Sequence, residues 1–217
     1  MSDKQRTIAN PIELKGRGLH TGAEVELVIK PAPENSGYQF KRMDLEGQPV
    51  IRAVAENVVD TERGTKLVEK NGSVSTVEHL MAALSGMGID NALMELNGPE
   101  LPILDGSSRY YVEEISKAGI TEQNAERFYY QIKEKITYRD EAKGIELVAY
   151  PDDRFSVDVH IDYNSKVLGY QFASYSESDH FDKEYAPCRT FVFLHELEVL
   201  LKHNLIKGGD LDNAIVI

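Results

Sequence analysis

The stretch STVEHLMAALSGMGIDNALMEL (residues 75–96) decides the fold, because the spacing of its apolar residues changes partway along it. From residue 76 onward, apolar residues recur every three or four positions, as on one face of a helix: Val77, Leu80, Met81 and Leu84. Ser75 is a suitable N-cap, and Gly86 and Gly88 end the pattern. The alternating NALMEL that follows predicts a short strand. A helix followed directly by a strand indicates a mixed α+β fold.

Strands are predicted before this stretch. PIELKG (11–16) and EVELVIKP (24–31) flank RGLHTGA (17–23), a glycine-containing connection typical of a hairpin. The dipeptide Asn71-Gly72 is a turn signal that closes a further strand before the helix. After the stretch, SRYYVEEISKAGI (108–120) predicts a second helix that Gly119 ends. One α+β domain is therefore expected over residues 1–126.

A second domain is expected over residues 127–217. YQIKEKITYRD and GIELVAYP (144–151) predict a hairpin, and FSVDVHIDY and LGYQFASY predict two further strands that pair. GIELVAYP resembles EVELVIKP in its pattern, which fits a weak internal repeat and fits chance similarity between amphipathic strands equally well. The second domain offers one helix pattern, FLHELEVLLKHNL (193–205), so it is either built differently or incomplete.

Composition narrows the classes of function. Among 217 residues, 41% are hydrophobic and 28% charged, as in ordinary soluble proteins. The net charge of −12 argues against a nucleic-acid partner, which needs a basic face. Cys188 is the single cysteine, so no internal disulfide forms. The sequence has neither a signal-peptide core nor a run of about 20 apolar residues, which predicts a cytoplasmic protein without a membrane span.

The pair Glu78-His79 has two interpretations. Ser75 and Glu78 match a capping box, in which the carboxylate bonds back to the N-cap amide and no function is needed. Alternatively, His79 is a metal ligand and Glu78 a base beside it, because the partial positive charge of a helix N-terminus keeps an imidazole neutral. A catalytic zinc typically takes three protein ligands. The second interpretation therefore depends on two more ligands.

The other histidines do not supply them. His195 and His203 lie eight residues apart in one helix pattern, about 12 Å along its axis, and cannot share an ion. His160 lies in a strand pattern and His180 in an acidic loop. No metal triad can therefore be identified from this sequence.

Two further positions stay open between a structural and a functional role. His20 lies among glycines that allow close approach of the backbone, but a hairpin connection with an exposed histidine explains it as well. Thr190, in APCRTF (186–191), is placed either to cap the helix predicted at 193 or to bind an oxyanion. Cys188 has no histidine or aspartate beside it in sequence and is not expected to be a nucleophile.

Four stretches occur together and in order: GRGLHTG, STVEHLMAALSGMGIDN, ELPILDGSS and APCRTF. Together they resemble the bacterial UDP-3-O-acyl-N-acetylglucosamine deacetylases, zinc amidases of lipid A synthesis, and the resemblance covers essentially the whole chain. It implies an α+β fold of two domains, each a mixed sheet with two helices on one face, with the helices sandwiched between the sheets. In this chain the second domain is expected to be incomplete.

The resemblance also implies roles for residues. Glu78 resembles the general base, His79 the first zinc ligand and Thr190 the residue that stabilises the oxyanion. Phe191 resembles the aromatic residue beside the sugar, and His20 a histidine near the site whose role is open. The 193–205 helix resembles an extra βαβ unit that walls a passage for the acyl chain of an acylated UDP-sugar. Its leucines suit that passage or a plain core face: Leu194, Leu197, Leu200, Leu201 and Leu205.

The chain departs from the family in one respect. The family's other zinc ligands, a histidine and an aspartate in an H-K-x-x-D pattern, and a histidine that acts as general acid follow the segment matching LDNAIVI, where this sequence stops. We therefore expect one zinc ligand, an incomplete site, no deacetylation by this chain alone, and self-association through an uncovered sheet face. The alternative hypothesis is a non-catalytic binding or structural fragment of that enzyme.

Overall fold

A computed structural model describes residues 4–217 and divides them into two compact units, one of residues up to 126 together with 180–217, the other of residues 127–179. In chain order the strands are β1 (Lys4–Ile8), β2 (Ile12–Arg17), β3 (Glu24–Pro31), β4 (Tyr38–Arg42), β5 (Val50–Arg52), β6 (Val58–Asp60), β7 (Lys66–Glu69), β8 (Gly72–Ser75), β9 (Ala92–Leu96), β10 (Ile120–Glu126), β11 (Ile136–Asp140), β12 (Ile145–Ala149), β13 (Ser156–Asp162), β14 (Tyr170–Ser176), β15 (Phe191–Val192) and β16 (Ile215–Val216). The helices are α1 (Glu78–Gly86), α2 (Arg109–Ala118), α3 (Phe181–Glu184) and α4 (Leu194–Lys202), with a 3₁₀ turn at Ala55–Asn57. The predicted α+β class is confirmed.

The larger unit is built on a five-stranded mixed sheet of order β2-β3-β9-β4-β5. The predicted hairpin of β2 and β3 is confirmed as an antiparallel pair, and β9 lies parallel to β4. Smaller sheets pair β1 with β10 and join β6, β7 and β8. The turn between β7 and β8 falls at residues 70–71, one residue before the predicted Asn71-Gly72, because Glu69 pairs with Gly72 in the ladder.

The core forms where α1 and α2 cover this sheet. Alternate residues of β3 are buried, as expected for a strand with one face inward. They belong to one cluster with buried helix residues, including Leu80 and Leu84 of α1 and Val112 and Ile115 of α2. Val112 and Ile115 of α2 therefore face the core, and Gly119 ends that helix as predicted, with a φ of 78°.

The segment 180–217 belongs to the larger unit, although the sequence predicted one domain over 127–217. Long-range backbone bonds explain this: Ser108 N–H donates to Ala186 O at 3.0 Å, Thr190 N–H to Gly106 O at 2.7 Å, and Gly208 N–H to Leu19 O at 3.0 Å. The two-domain assignment itself stays a prediction. Within the segment, β15 and β16 pair in parallel around α4, so it forms a βαβ unit.

The smaller unit, residues 127–179, consists of two antiparallel hairpins. β11 pairs with β12 and β13 with β14, which confirms both predicted pairings. No helix occurs between residues 127 and 179, and the strands leave apolar side chains exposed, such as Leu147 (63%) and Phe172 (58%). None of the helices described between residues 4 and 217 is long and apolar enough to cross a bilayer.

Candidate functional site

The entry to α1 differs from the prediction. Ser75 is the last residue of β8, where its N–H donates to Pro99 O at 2.9 Å and its carbonyl accepts from Leu101 N–H at 3.1 Å. The chain then turns through Thr76, whose φ of 57° is unusual for a β-branched residue and costs roughly 1–2 kcal/mol. Helix α1 begins at Glu78, with Val77 as N-cap and no side-chain cap. The capping-box interpretation is therefore wrong, because the backbone groups of Ser75 are already paired with Pro99 and Leu101.

The carboxylate of Glu78 faces the segment 63–65 instead. Thr65 N–H donates to its Oε2 at 3.1 Å. A Cβ atom placed on Gly64 would lie 3.5 Å from Glu78 Oε1 and 3.8 Å from His20 Nε2, so the backbone at Gly64 passes close to both side chains. With one backbone donor on its two oxygens, the Glu78 carboxylate keeps acceptor capacity for a proton.

His79 is half-buried next to Glu78. Burial lowers the pKa of its imidazole, while the charges of Glu78 and Asp105 oppose that shift. A lowered pKa favours the neutral imidazole, which is the form that binds a metal ion. The backbone carbonyl of His79 accepts a hydrogen bond from Ser108 Oγ at 2.8 Å, which joins the first turn of α1 to the start of α2. Ser108 is the N-cap residue of α2, but its side chain makes this bond to His79 instead of capping its own helix.

His20 lies in the β2–β3 connection, with its ring against the same 63–65 segment. Its Nε2 is 3.0 Å from the carbonyl of Arg63, and since a carbonyl only accepts, Nε2 carries the proton. Its Nδ1 is buried and has no hydrogen-bond partner among residues 4–217. The ring is therefore held beside Glu78 rather than released to solvent, so an exposed hairpin histidine does not describe it.

Thr190 lies just before β15, four residues before α4 begins, so the interpretation of Thr190 as a helix cap is wrong. Its N–H bonds to Gly106 O, and its carbonyl accepts from Ile215 N–H at 3.0 Å. Gly106 has a φ of 80°, and a Cβ there would collide with the carbonyl of Asn213, so this position requires glycine. Thr190 thus packs on the loop that leads to Ser108 and from there to His79.

The other predicted substrate residues belong to the βαβ unit. Phe191 is 36% exposed and meets Phe193 edge to face at 5.6 Å. Leu201 is 61% exposed and Leu197 half-buried, whereas Leu200 is the buried leucine of α4. The core-face interpretation therefore applies to Leu200 and is wrong for Leu201. The predicted helix 193–205 is shorter in the structure and ends at Lys202.

Helix α4 is attached to the segment beside Glu78 by an ion pair. Arg63 Nη2 lies 2.8 Å from Glu196 Oε1, and Glu196 also accepts from Phe193 N–H at 3.3 Å at the start of α4. The Arg63 guanidinium holds the pKa of the Glu196 carboxyl below its ordinary value. One carboxylate therefore organises the start of α4 and the position of Arg63.

Among residues 4–217, no three His, Cys, Asp or Glu side chains are grouped so that they could hold a metal ion. His79 is thus a single candidate ligand in this part of the chain. His203 lies at the end of α4, where its Nδ1 is 2.8 Å from Val199 O. It is eight residues from His195, the other histidine in this segment.

Glu100 is a further residue of the site, which no sequence motif identified. Its side chain is completely buried, and its carboxylate accepts four hydrogen bonds, from His20, Thr76 and two groups of Thr21. The signal in the sequence was a charged residue within the otherwise apolar run PELPIL (99–104). A charged residue in such a run is informative, because buried glutamate is rare unless it is paired.

Comparisons with known proteins identify the family of the chain. The family model described as "LpxC: UDP-3-O-acyl N-acetylglycosamine deacetylase" matches residues 5–217. The chain is 52% identical to the "Bifunctional enzyme LpxC/FabZ" of Bacteroides thetaiotaomicron and 53% identical to that of Porphyromonas gingivalis, in each case over 99% of this chain and 46% of the relative. It is 46% identical to the UDP-3-O-acyl-N-acetylglucosamine deacetylase of Teredinibacter turnerae, over 99% of this chain and 71% of that protein.

The chain thus spans about half the length of the first two relatives. The deacetylase of Teredinibacter turnerae matches nearly all of this chain, and the family model covers residues 5–217. The chain therefore belongs to the LpxC family of UDP-3-O-acyl-N-acetylglucosamine deacetylases.

Proposed function

We propose that this protein hydrolyses the acetamide of UDP-3-O-(3-hydroxyacyl)-N-acetylglucosamine and releases acetate, a step of lipid A biosynthesis. Family membership supports the substrate class. The observation that carries the chemistry is the pair at the start of α1, where the carboxylate of Glu78 has a single backbone donor and burial lowers the pKa of the neighbouring His79 imidazole.

Zinc is the proposed cofactor, with His79 as one ligand. The neutral imidazole fits that role. Residues 4–217 supply one such ligand, where a catalytic zinc typically takes three from the protein. The zinc site within residues 4–217 is therefore proposed to be incomplete.

The proposed reaction uses Glu78 as general base. Its carboxylate removes a proton from a water molecule as the water oxygen attacks the carbonyl carbon of the acetamide. The Thr190 hydroxyl donates a hydrogen bond to the oxyanion that forms on the carbonyl oxygen. The C–N bond then breaks, acetate leaves, and the glucosamine amine takes a proton from a general acid that is proposed to lie outside residues 4–217. The packing of Thr190 on the 106–108 loop, which bonds to His79, supports this pairing of roles.

Substrate contacts are proposed for the βαβ unit and for His20. The half-exposed ring of Phe191 offers a face to the sugar, and Leu197 and Leu201 offer apolar surface to the acyl chain. His20, held beside Glu78 by its contact with the Arg63 carbonyl, is proposed to lie near the bound substrate. The protein is proposed to act in the cytoplasm.

A second proposal concerns residues 1–217 on their own, namely a non-catalytic fragment that self-associates. The exposed apolar side chains of β11–β14 support it, since apolar surface of this kind favours association. For this fragment we expect no deacetylation and little zinc after dialysis against a weak chelator.

The test compares two proteins, the chain at the full length of its relatives and residues 1–217 alone. Acetate release from the acylated UDP-sugar is measured for both, with zinc content determined by elemental analysis. We expect turnover and bound zinc in the longer protein alone. A longer protein that releases no acetate would overturn the proposed function, and one tightly held zinc in 1–217 would overturn the fragment proposal.

A further inference from the structure

Glu100 holds together two segments that come from distant parts of the chain. Its Oε1 accepts from His20 N–H at 2.9 Å and from the Thr76 hydroxyl at 2.9 Å. Its Oε2 accepts from Thr21 N–H at 2.8 Å and from the Thr21 hydroxyl at 2.7 Å. A carboxylate has about four acceptor positions, so these four donors fill it.

All four donors are uncharged, and the residues between 4 and 217 give this carboxylate no cationic partner. Burying a charge is expensive unless it is hydrogen-bonded, so the fully buried Glu100 depends on this donor set. Donors and acceptor are therefore fixed relative to one another far more firmly than in an exposed ion pair.

The two segments are the ones that surround Glu78. Thr76, in its left-handed conformation, turns the chain from β8 into α1 two residues before Glu78. His20 places its ring on the carbonyl of Arg63, and the adjacent Gly64 lies against the Glu78 carboxylate. The Glu100 carboxylate does not contact Glu78. It binds Thr76, which precedes Glu78 in the chain, and His20, which contacts the 63–65 segment beside Glu78.

From this geometry we infer that Glu100 is a positioning residue, which aims the Glu78 carboxylate by fixing the His20 connection and the turn at Thr76; the inference rests on the proposed deacetylase function. Glu100 makes no contact with the reacting atoms. Its effect is on the orientation of the base, and a misplacement of about 1 Å in an active site can cost 100-fold in rate.

An isosteric substitution tests the inference, because glutamine cannot replace this carboxylate. Each oxygen of Glu100 receives one backbone N–H, which cannot reverse its polarity, so the amide NH₂ of glutamine opposes a donor in either orientation. In the full-length enzyme, Glu100→Gln is expected to lower kcat by about 10- to 100-fold while KM changes by less than about threefold. Zinc content should stay at the wild-type value.

The matched control is Glu95→Gln. Glu95 is also a largely buried glutamate near the end of β9, but it pairs with Lys30 at 2.6 Å and has no bond to the site. Its substitution should leave kcat and KM unchanged. Equal kcat values for Glu100→Gln and the wild type would overturn the inference and leave the proposed function intact, whereas a wild-type enzyme without turnover would overturn both.

A second pair of variants covers the case in which Glu100→Gln does not fold. Thr76→Val keeps the β-branched shape and removes only the hydroxyl that Glu100 accepts, whereas Thr76→Ser keeps the hydroxyl. We expect Thr76→Val to lower kcat several-fold and Thr76→Ser to retain most of it, with both enzymes folded at the assay temperature. Equal kcat for the two variants would overturn the inference, because shape alone would then account for the role of Thr76.

Discussion

Strands β3 and β12 carry nearly the same sequence pattern, EVELVIKP (24–31) and GIELVAYP (144–151), but differ in burial. In β3, Leu27 is fully buried, whereas Leu147 in β12 is 63% exposed. Both strands are the second partner of an antiparallel hairpin. The difference lies in what covers them, because β3 belongs to the core with α1 and α2, and the unit containing β12 has no helix between residues 127 and 179. The sequence pattern of a strand therefore predicts that it pairs and which residues share one face, but not whether that face is buried.

The largest expected effect is on the rate of the reaction and concerns Glu78, in the larger unit. In the full-length enzyme, Glu78→Gln should lower kcat by roughly 10²–10⁴-fold, because the amide cannot accept the proton of the attacking water. The fold should survive, since the amide oxygen still accepts from Thr65 N–H. The control is Glu146→Gln in β12, which should leave kcat unchanged. Wild-type activity in Glu78→Gln would end the assignment of Glu78 as base.

The next effect concerns stability and tests the comparison directly. Leu27→Ala removes a fully buried side chain and should lower the free energy of unfolding by about 2–5 kcal/mol. Leu147→Ala removes an exposed one and should change it by less than about 0.5 kcal/mol. Urea denaturation of 1–217 and both variants measures the difference. Similar losses would mean that the face of β12 is covered after all.

Self-association of residues 1–217 should depend on the exposed apolar side chains of the smaller unit, residues 127–179. Leu147→Lys should weaken self-association by about 10-fold or more, since burying a leucine is worth roughly 1.5–3 kcal/mol. Val59→Lys is the matched control in the larger unit, because Val59 is 59% exposed, close to the 63% of Leu147. Analytical ultracentrifugation over a concentration series gives the dissociation constants. Equal weakening by both variants would contradict an interface on the β11–β14 hairpins.

The smallest effect concerns two arginine–glutamate pairs, one in each unit, with the same distance of 2.8 Å. Arg63→Gln should cost roughly 0.2–1 kcal/mol, and Arg139→Gln less, because the Arg139–Glu146 pair is more exposed. The pKa of Glu196 is lowered in the folded state, so its contribution is present above the unfolded pKa of about 4.3 and is lost as pH falls below that value. Unfolding curves between pH 3 and 7 should therefore converge for Arg63→Gln and the wild type at acid pH. A cost that does not change with pH would contradict the ion pair.

Local patterns predicted the strands and helices well, because hairpins and amphipathic faces depend on neighbours in sequence. The prediction failed where distant groups compete for the same atoms. Ser75 has the right chemistry for a cap, but Pro99 and Leu101 occupy its backbone groups. The place of 180–217 in the larger unit likewise depends on hydrogen bonds to residues about 80 or more positions earlier.

The same contrast between local motifs and contacts from distant residues applies to the candidate site. Glu78, His79 and Thr190 were identified from motifs, and their roles stay predictions, whereas the segment 63–65 that contacts Glu78 carries no motif. Glu100 was missed because its donors, His20, Thr21 and Thr76, lie between 24 and 80 residues away. A single sequence shows that a buried charge is present, but not which donors surround it.

The contact between Gly106 and the carbonyl of Asn213 bears on how the protein is made. The loop at Gly106 leaves the ribosome about a hundred residues before Asn213 does. At a rate of synthesis of roughly 5–20 residues per second, Asn213 follows this loop by about 5–20 seconds. During synthesis, α1 and the sheet that it covers can assemble early, whereas the contact between Gly106 and Asn213 near Thr190 forms only after Asn213 has been synthesised.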